Sequence, residues 1–126
     1  MELPITSLMA ALAAVALVLL SLPVSLRRIK ARVNLGDGGD ALLQRRIRTQ
    51  ANFVEYAPMA VILVGLVELA GVDARVVWTL AGALALGRAL HVFGMLRGVL
   101  PPRMAGMVLT YTGLVAGAVI LVAAVV

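Results

Sequence analysis

From Leu3 to Leu26 the chain carries no charged residue, and the same is true from Met104 to Val126. Two further apolar runs are interrupted only by Glu55 and Glu68 (Phe53–Gly71) and by Arg88 and His91 (Val76–Leu96). Each run is about 20 residues long, and at ~1.5 Å per residue a helix of that length crosses a ~30 Å hydrocarbon core. A membrane barrel needs short alternating strands, whereas these runs are continuous and rich in alanine and leucine. The expected fold is an all-α integral membrane bundle of four transmembrane helices. It forms one domain over residues 1–126, with spans at roughly 3–32, 41–71, 74–97 and 102–125. With 63% apolar and 13% charged residues, a water-soluble domain is excluded.

Charge placement predicts orientation. Arg27, Arg28, Lys30, Arg32, Arg45, Arg46 and Arg48 flank the first loop, and Arg97 and Arg103 flank the third. The remaining ends and the "GVDAR" turn offer only Arg75. Loops one and three are therefore expected in the cytoplasm and both termini outside, in a bacterial-type inner membrane. The start "MELPITSLMA" lacks a basic region ahead of the apolar run, so the first segment reads as an anchor rather than a cleaved signal. The net charge of +5 reflects this loop bias and calls for no nucleic-acid partner. There is no cysteine, which excludes disulfides, thiolate nucleophiles and iron–sulfur clusters.

Helix one is expected to end near Asn34 and to bend at Pro23. "NLGDGGDALL" is the clearest loop, with Asp40 as the N-cap of helix two. "GVDAR" is a tight turn, and Pro101 and Pro102 suit the first turn of helix four. Gly113-x-x-x-Gly117 has the spacing of close membrane-helix packing, within or between chains.

Polar residues intrude at one place. Arg48, Asn52 and Glu55 stand at i, i+4 and i+7 and share one helix face, with Tyr56 beside them and Arg45 extending the stripe. Pro58 follows and leaves the Val54 carbonyl without its usual donor, so a local opening of the helix is expected. Ionisable groups in a membrane helix face a bundle interior or a wet cavity, and function is the default reading. The plainer reading pairs Glu55 with Arg88 and uses Asn52 to fix register. Glu68 lies near the outer interface, where hydration or pairing with Arg75 is expected, and His91 is expected to be packed or hydrogen-bonded. One histidine and no cysteine make no recognisable metal cluster. Arg32, Arg48 and Arg103 are expected to converge at the cytoplasmic mouth with Arg88 deeper. Several arginines beside one carboxylate favour an anionic ligand that also carries a cation, such as a zwitterionic peptide.

These residues carry a resemblance. The motif R-x-x-x-N-x-x-E-Y-x-P, standing as Arg48, Asn52, Glu55, Tyr56 and Pro58, resembles that of the MAPEG family, the membrane-associated proteins in eicosanoid and glutathione metabolism. The preceding glycine–aspartate loop, the Gly87–Arg88 pair and Arg103 agree with it over about the whole chain. The resemblance implies a homotrimer that binds glutathione as co-substrate between subunits. The implied contacts are Arg32, Arg48, Gln50, Asn52, Glu55 and Tyr56, with Glu55 near the peptide's amino group and Arg88 close by. Arg103 resembles the arginine that stabilises the thiolate, since a fixed cation lowers a thiol pKa. The implied activity is a glutathione S-transferase or glutathione-dependent peroxidase acting on apolar electrophiles or lipids drawn from the membrane. Met95 and His91 stand where relatives carry tyrosines. Two other classes stay open: a non-catalytic lipid- or partner-binding protein on the same scaffold, and a small multidrug transporter. The transporter reading lacks its acidic residue in helix one.

Overall fold

A computed structural model describes residues 2–126. Four α-helices run in sequence: α1 (Pro4–Ala31), α2 (Ala41–Leu69), α3 (Ala74–Arg97) and α4 (Leu100–Val125). All four are long and apolar enough to cross a membrane.

Local signals set the helix ends. Asp40 caps α2 by accepting from the Leu43 N–H at 2.9 Å, and Asp73 caps α3 by accepting from the Arg75 N–H at 2.9 Å. Pro101 and Pro102 occupy the first turn of α4, where a proline's missing donor is not needed. Helix α1 stops at Ala31, earlier than Asn34. Arg32 adopts a left-handed conformation (φ 55°) there, and the Arg32 and Val33 N–H groups turn back to the carbonyls of Ile29 and Arg28. That paired closure ends a helix even without glycine. Helix α2 runs unbroken through Pro58, so the expected opening does not occur; the proline removes one donor while the helix continues on both sides of it.

The two ends of the bundle differ. Loops one and three share a basic end, where the Arg45 guanidinium lies against Gly98, its nearest atoms 3.6 Å from a Cβ built there. At the far end, apolar residues from three helices (Ile5; Ala60, Val64 and Val67; Val77, Leu80 and Leu84) form the core. Helices α3 and α4 make the tightest seam. A Cβ on Gly106 would lie 2.5 Å from the Gly87 carbonyl oxygen and the His91 nitrogen, and one on Gly94 2.5 Å from the Arg103 nitrogen. Gly113 and Gly117 pack inside the chain, against Leu84 and against Leu63 with Leu80. Their spacing thus serves the fold of one subunit.

Candidate functional site

Arg88 lies at the centre of the site. It is 5% exposed, projecting from α3 between α2 and α4. Its Nη1 donates to Asn52 Oδ1 at 2.7 Å, while Nε and Nη2 both donate to Thr110 Oγ1 at 3.0 and 2.8 Å. Nη2 also approaches Met107 Sδ at 3.4 Å. Thr110 can accept twice because it passes its own proton to the Gly106 carbonyl at 2.8 Å. The guanidinium carbon lies 4.9 Å from the centre of the Tyr56 ring, a cation–π contact. Tyr56 in turn meets Tyr111, with hydroxyl oxygens 3.2 Å apart and ring centroids 5.8 Å apart. This knot ties three helices together through one cation.

No carboxylate belongs to the knot. Among the described residues the one ion pair joins Arg27 to Asp40 at 2.7 Å, outside the apolar spans. The Glu55–Arg88 pair of the plainer reading does not form, because Asn52 takes the guanidinium from the same helix and Glu55 is turned to the outside. Arg88 is therefore a buried cation held only by neutral oxygens, a sulfur and a ring. Such an arrangement leaves net positive charge at low dielectric and favours an anion nearby.

The remaining expected residues are spread along the rim. Arg48 and Glu55 are exposed on α2, and Arg103 is exposed on the first turn of α4; the side chains of these three make no hydrogen bond or ion pair among the described residues. Arg32 is exposed at the end of α1, its direction set by the left-handed backbone. Gln50 faces α1 instead, donating to Ser21 Oγ at 3.0 Å. In a single chain, then, Asn52, Tyr56 and Arg88 are brought together, and the other arginines are not bonded into the knot. His91 is buried, with Nδ1 3.1 Å from the Arg103 carbonyl oxygen. A carbonyl can only accept, so the proton sits on Nδ1, and the ring fixes the start of α4. Glu68 does not pair with Arg75. It accepts from the Ile5 N–H (3.1 Å), the Thr6 N–H (2.9 Å) and the Thr6 hydroxyl (2.6 Å), because the open N-terminus of α1 presents unpaired donors beside it.

Thr110, Tyr111 and Met107 carry no charge and do not stand out from the apolar run of α4 as Arg88 does from that of α3. The available signal was the hydroxyl triplet Thr110-Tyr111-Thr112 in the middle of an otherwise apolar helix. Beside the knot, a lateral cleft of about 510 Å³ lies between α1 and the α2–α3 pair, with Arg88 in its lining.

Four membrane-length helices gathered around a buried arginine–amide–hydroxyl knot define a polytopic membrane protein with an internal polar site. The family assignment follows from comparison: the MAPEG family profile matches residues 6–123, and the chain belongs to that family. It is 34% identical over 110 residues to the inner membrane protein YecN of Escherichia coli K12, covering 87% of this chain and 84% of that protein. The same identity and coverage hold for YecN of Escherichia coli O6:H1.

Proposed function

We propose that the chain is a glutathione-binding membrane enzyme, a transferase or peroxidase for apolar electrophiles, working as a homotrimer. The observation that carries this reading is the pairing of an uncompensated buried cation with an unpartnered polar stripe. Arg45, Arg48 and Glu55 lie on one exposed face of α2, which continues as Met59, Ile62 and Leu66. A membrane helix does not leave an arginine and a carboxylate against lipid, so a second copy covering that face is the economical arrangement. A zwitterionic tripeptide would then complement both signs: its carboxylates meet Arg48 and Arg88, and its ammonium meets Glu55. Asn52 and Tyr56 are oriented by Arg88 and would position the ligand. Arg103 would hold the thiolate, and the electrophile would approach laterally from the bilayer. An inner-membrane location with both termini outside is supported by nine basic residues flanking loops one and three against Arg75 alone at the far end, and by the name of the relatives.

The test is a titration of glutathione into purified protein, followed by ultraviolet absorbance of the ionised sulfur. Binding with a thiolate signal is expected, together with conjugation of a chlorodinitrobenzene-type electrophile. Arg103→Ala should lower turnover about 10²-fold or more with little change in binding, as for loss of one charge-stabilising donor. Glu55→Ala should instead weaken binding itself. Wild-type protein that neither binds glutathione nor conjugates the electrophile would sink the proposal.

A further inference from the structure

At the two straps of α1 the polar groups find their partners within the chain. Glu68 accepts from the Ile5 and Thr6 amides at the far end, and Arg46 Nη1 donates to the Pro23 carbonyl at 3.1 Å near the basic end. The hydroxyl triplet of α4 is less complete. Thr110 gives its proton to the Gly106 carbonyl and Thr112 gives its own to that of Val108, at 2.8 and 2.9 Å. Tyr111, between them, has no such outlet, because a phenol oxygen stands too far from its own helix backbone. It reaches across to Tyr56 instead, with 3.2 Å between the hydroxyl oxygens.

That pair holds one proton too many. Two phenols bring two donors, and the bond between them uses one. Among the described residues neither hydroxyl makes another hydrogen bond. Tyr111 is 50% exposed, whereas Arg88, against the Tyr56 ring, is buried. An acceptor on the open side therefore selects one order: Tyr56 donates to Tyr111, and Tyr111 donates outward. The Arg88 charge behind the rings makes an anionic acceptor the favoured one. A hydroxyl proton left facing hydrocarbon without an acceptor is costly.

Position along α2 says which anion fits. Glu55, proposed above for the ligand's ammonium, immediately precedes Tyr56. Arg48 stands ~12 Å nearer the basic end, at ~1.5 Å per residue. An extended tripeptide spans about 10 Å, so its two carboxylates cannot both lie at Arg48. The one that reaches Tyr111 is the carboxylate on the same carbon as the ammonium.

We infer that Tyr111 is a ligand contact of the thiol site: with Tyr56, and with the Arg88 charge behind them, it forms a carboxylate subsite that recognises the free amino-acid head of a γ-glutamyl peptide. The inference rests on the glutathione reading above and names the part of the ligand that this end of the site selects. Glu55 takes the ammonium of that head, and the Tyr111 hydroxyl donates to its carboxylate.

Calorimetric titration of detergent-solubilised full-length protein tests this, using glutathione and 4-aminobutyryl-cysteinyl-glycine. The second peptide keeps the ammonium and lacks that carboxylate. Tyr111→Phe keeps the ring against Tyr56 and removes the hydroxyl alone. It should weaken glutathione binding about ten-fold, as for a lost hydrogen bond to a charged group, and leave the second peptide's affinity unchanged. Thr112→Val, one residue on and bonded within its own helix, should change neither. Equal losses for both peptides would make Tyr111 a packing residue, and an unchanged glutathione affinity would place its hydroxyl outside the site. Either result overturns the inference and leaves the glutathione reading standing. Wild-type protein that binds both peptides equally well would have the same consequence. Wild-type protein that binds neither removes the glutathione reading and the subsite together.

Discussion

The α3–α4 seam and the α1 cleft are both lined by glycine and alanine, yet one is closed to atomic contact and the other is hollow. At the seam, Gly87 faces Gly106 and Gly94 faces the Arg103 backbone, so the helices touch main chain to main chain. Behind α1, Gly82 and the alanines face a helix that polar straps hold at a distance. Small residues therefore do not by themselves mean tight packing. They permit close approach, and the polar contacts at the helix ends decide whether it happens.

The seam should break most readily. Gly106→Ala places a methyl where the Gly87 carbonyl and the His91 backbone already sit, and a destabilisation of about 1–3 kcal/mol is expected from overpacking. Thermal unfolding in detergent measures it, and an unchanged midpoint would show that the seam is looser than described. Glu68→Ala releases the far-end strap by removing the acceptor of three donors. A cost near 1 kcal/mol is expected for this partly exposed group, and hydrogen exchange should rise in the first turns of α1 but not in α3 or α4. Gly82→Ala is the counterpart of the seam change. Its methyl enters open space and removes a helical glycine, so a gain of about 0.5–1 kcal/mol is expected.

The smallest effect concerns the ion pair between Arg27 of α1 and Asp40. The Leu43 amide holds the Asp40 carboxyl below its ordinary value near 3.8; burial acts against this, and the Arg27 guanidinium adds to it. A carboxyl whose folded pKa is depressed stabilises the fold fully above the unfolded value, and that contribution is lost as pH falls through the folded one. Asp40→Asn should therefore lower the unfolding midpoint at neutral pH. The gap from wild type should narrow as pH falls through the depressed folded value, where both side chains become uncharged. A gap independent of pH would show that the negative charge on Asp40 contributes nothing to the cap.

The same contrast separates what could be read from residues alone. Apolar continuity and length were enough for four helices, because lipid leaves a continuous apolar run no other way to satisfy its backbone. The cap at Asp40 and the prolines opening α4 were legible for local reasons, whereas the cap at Asp73 lay inside what reads only as a tight turn. The polar stripe was legible in part: Asn52 and Tyr56 do meet Arg88, while Glu55 and Arg48 face outward. Thr110 and Tyr111 were hidden because they are uncharged and come from a helix distant in sequence.

By itself, the sequence determined the number of helices, their membrane setting, the cap at Asp40 and the face that carries Arg48, Asn52 and Glu55, since each follows from residues within one segment. Which oxygen receives the Arg88 guanidinium, which end of α1 Glu68 holds, and which small-residue surface closes or stays open were decided only by the tertiary structure. Those choices are made between helices, where several partners of equal chemistry compete and geometry selects one.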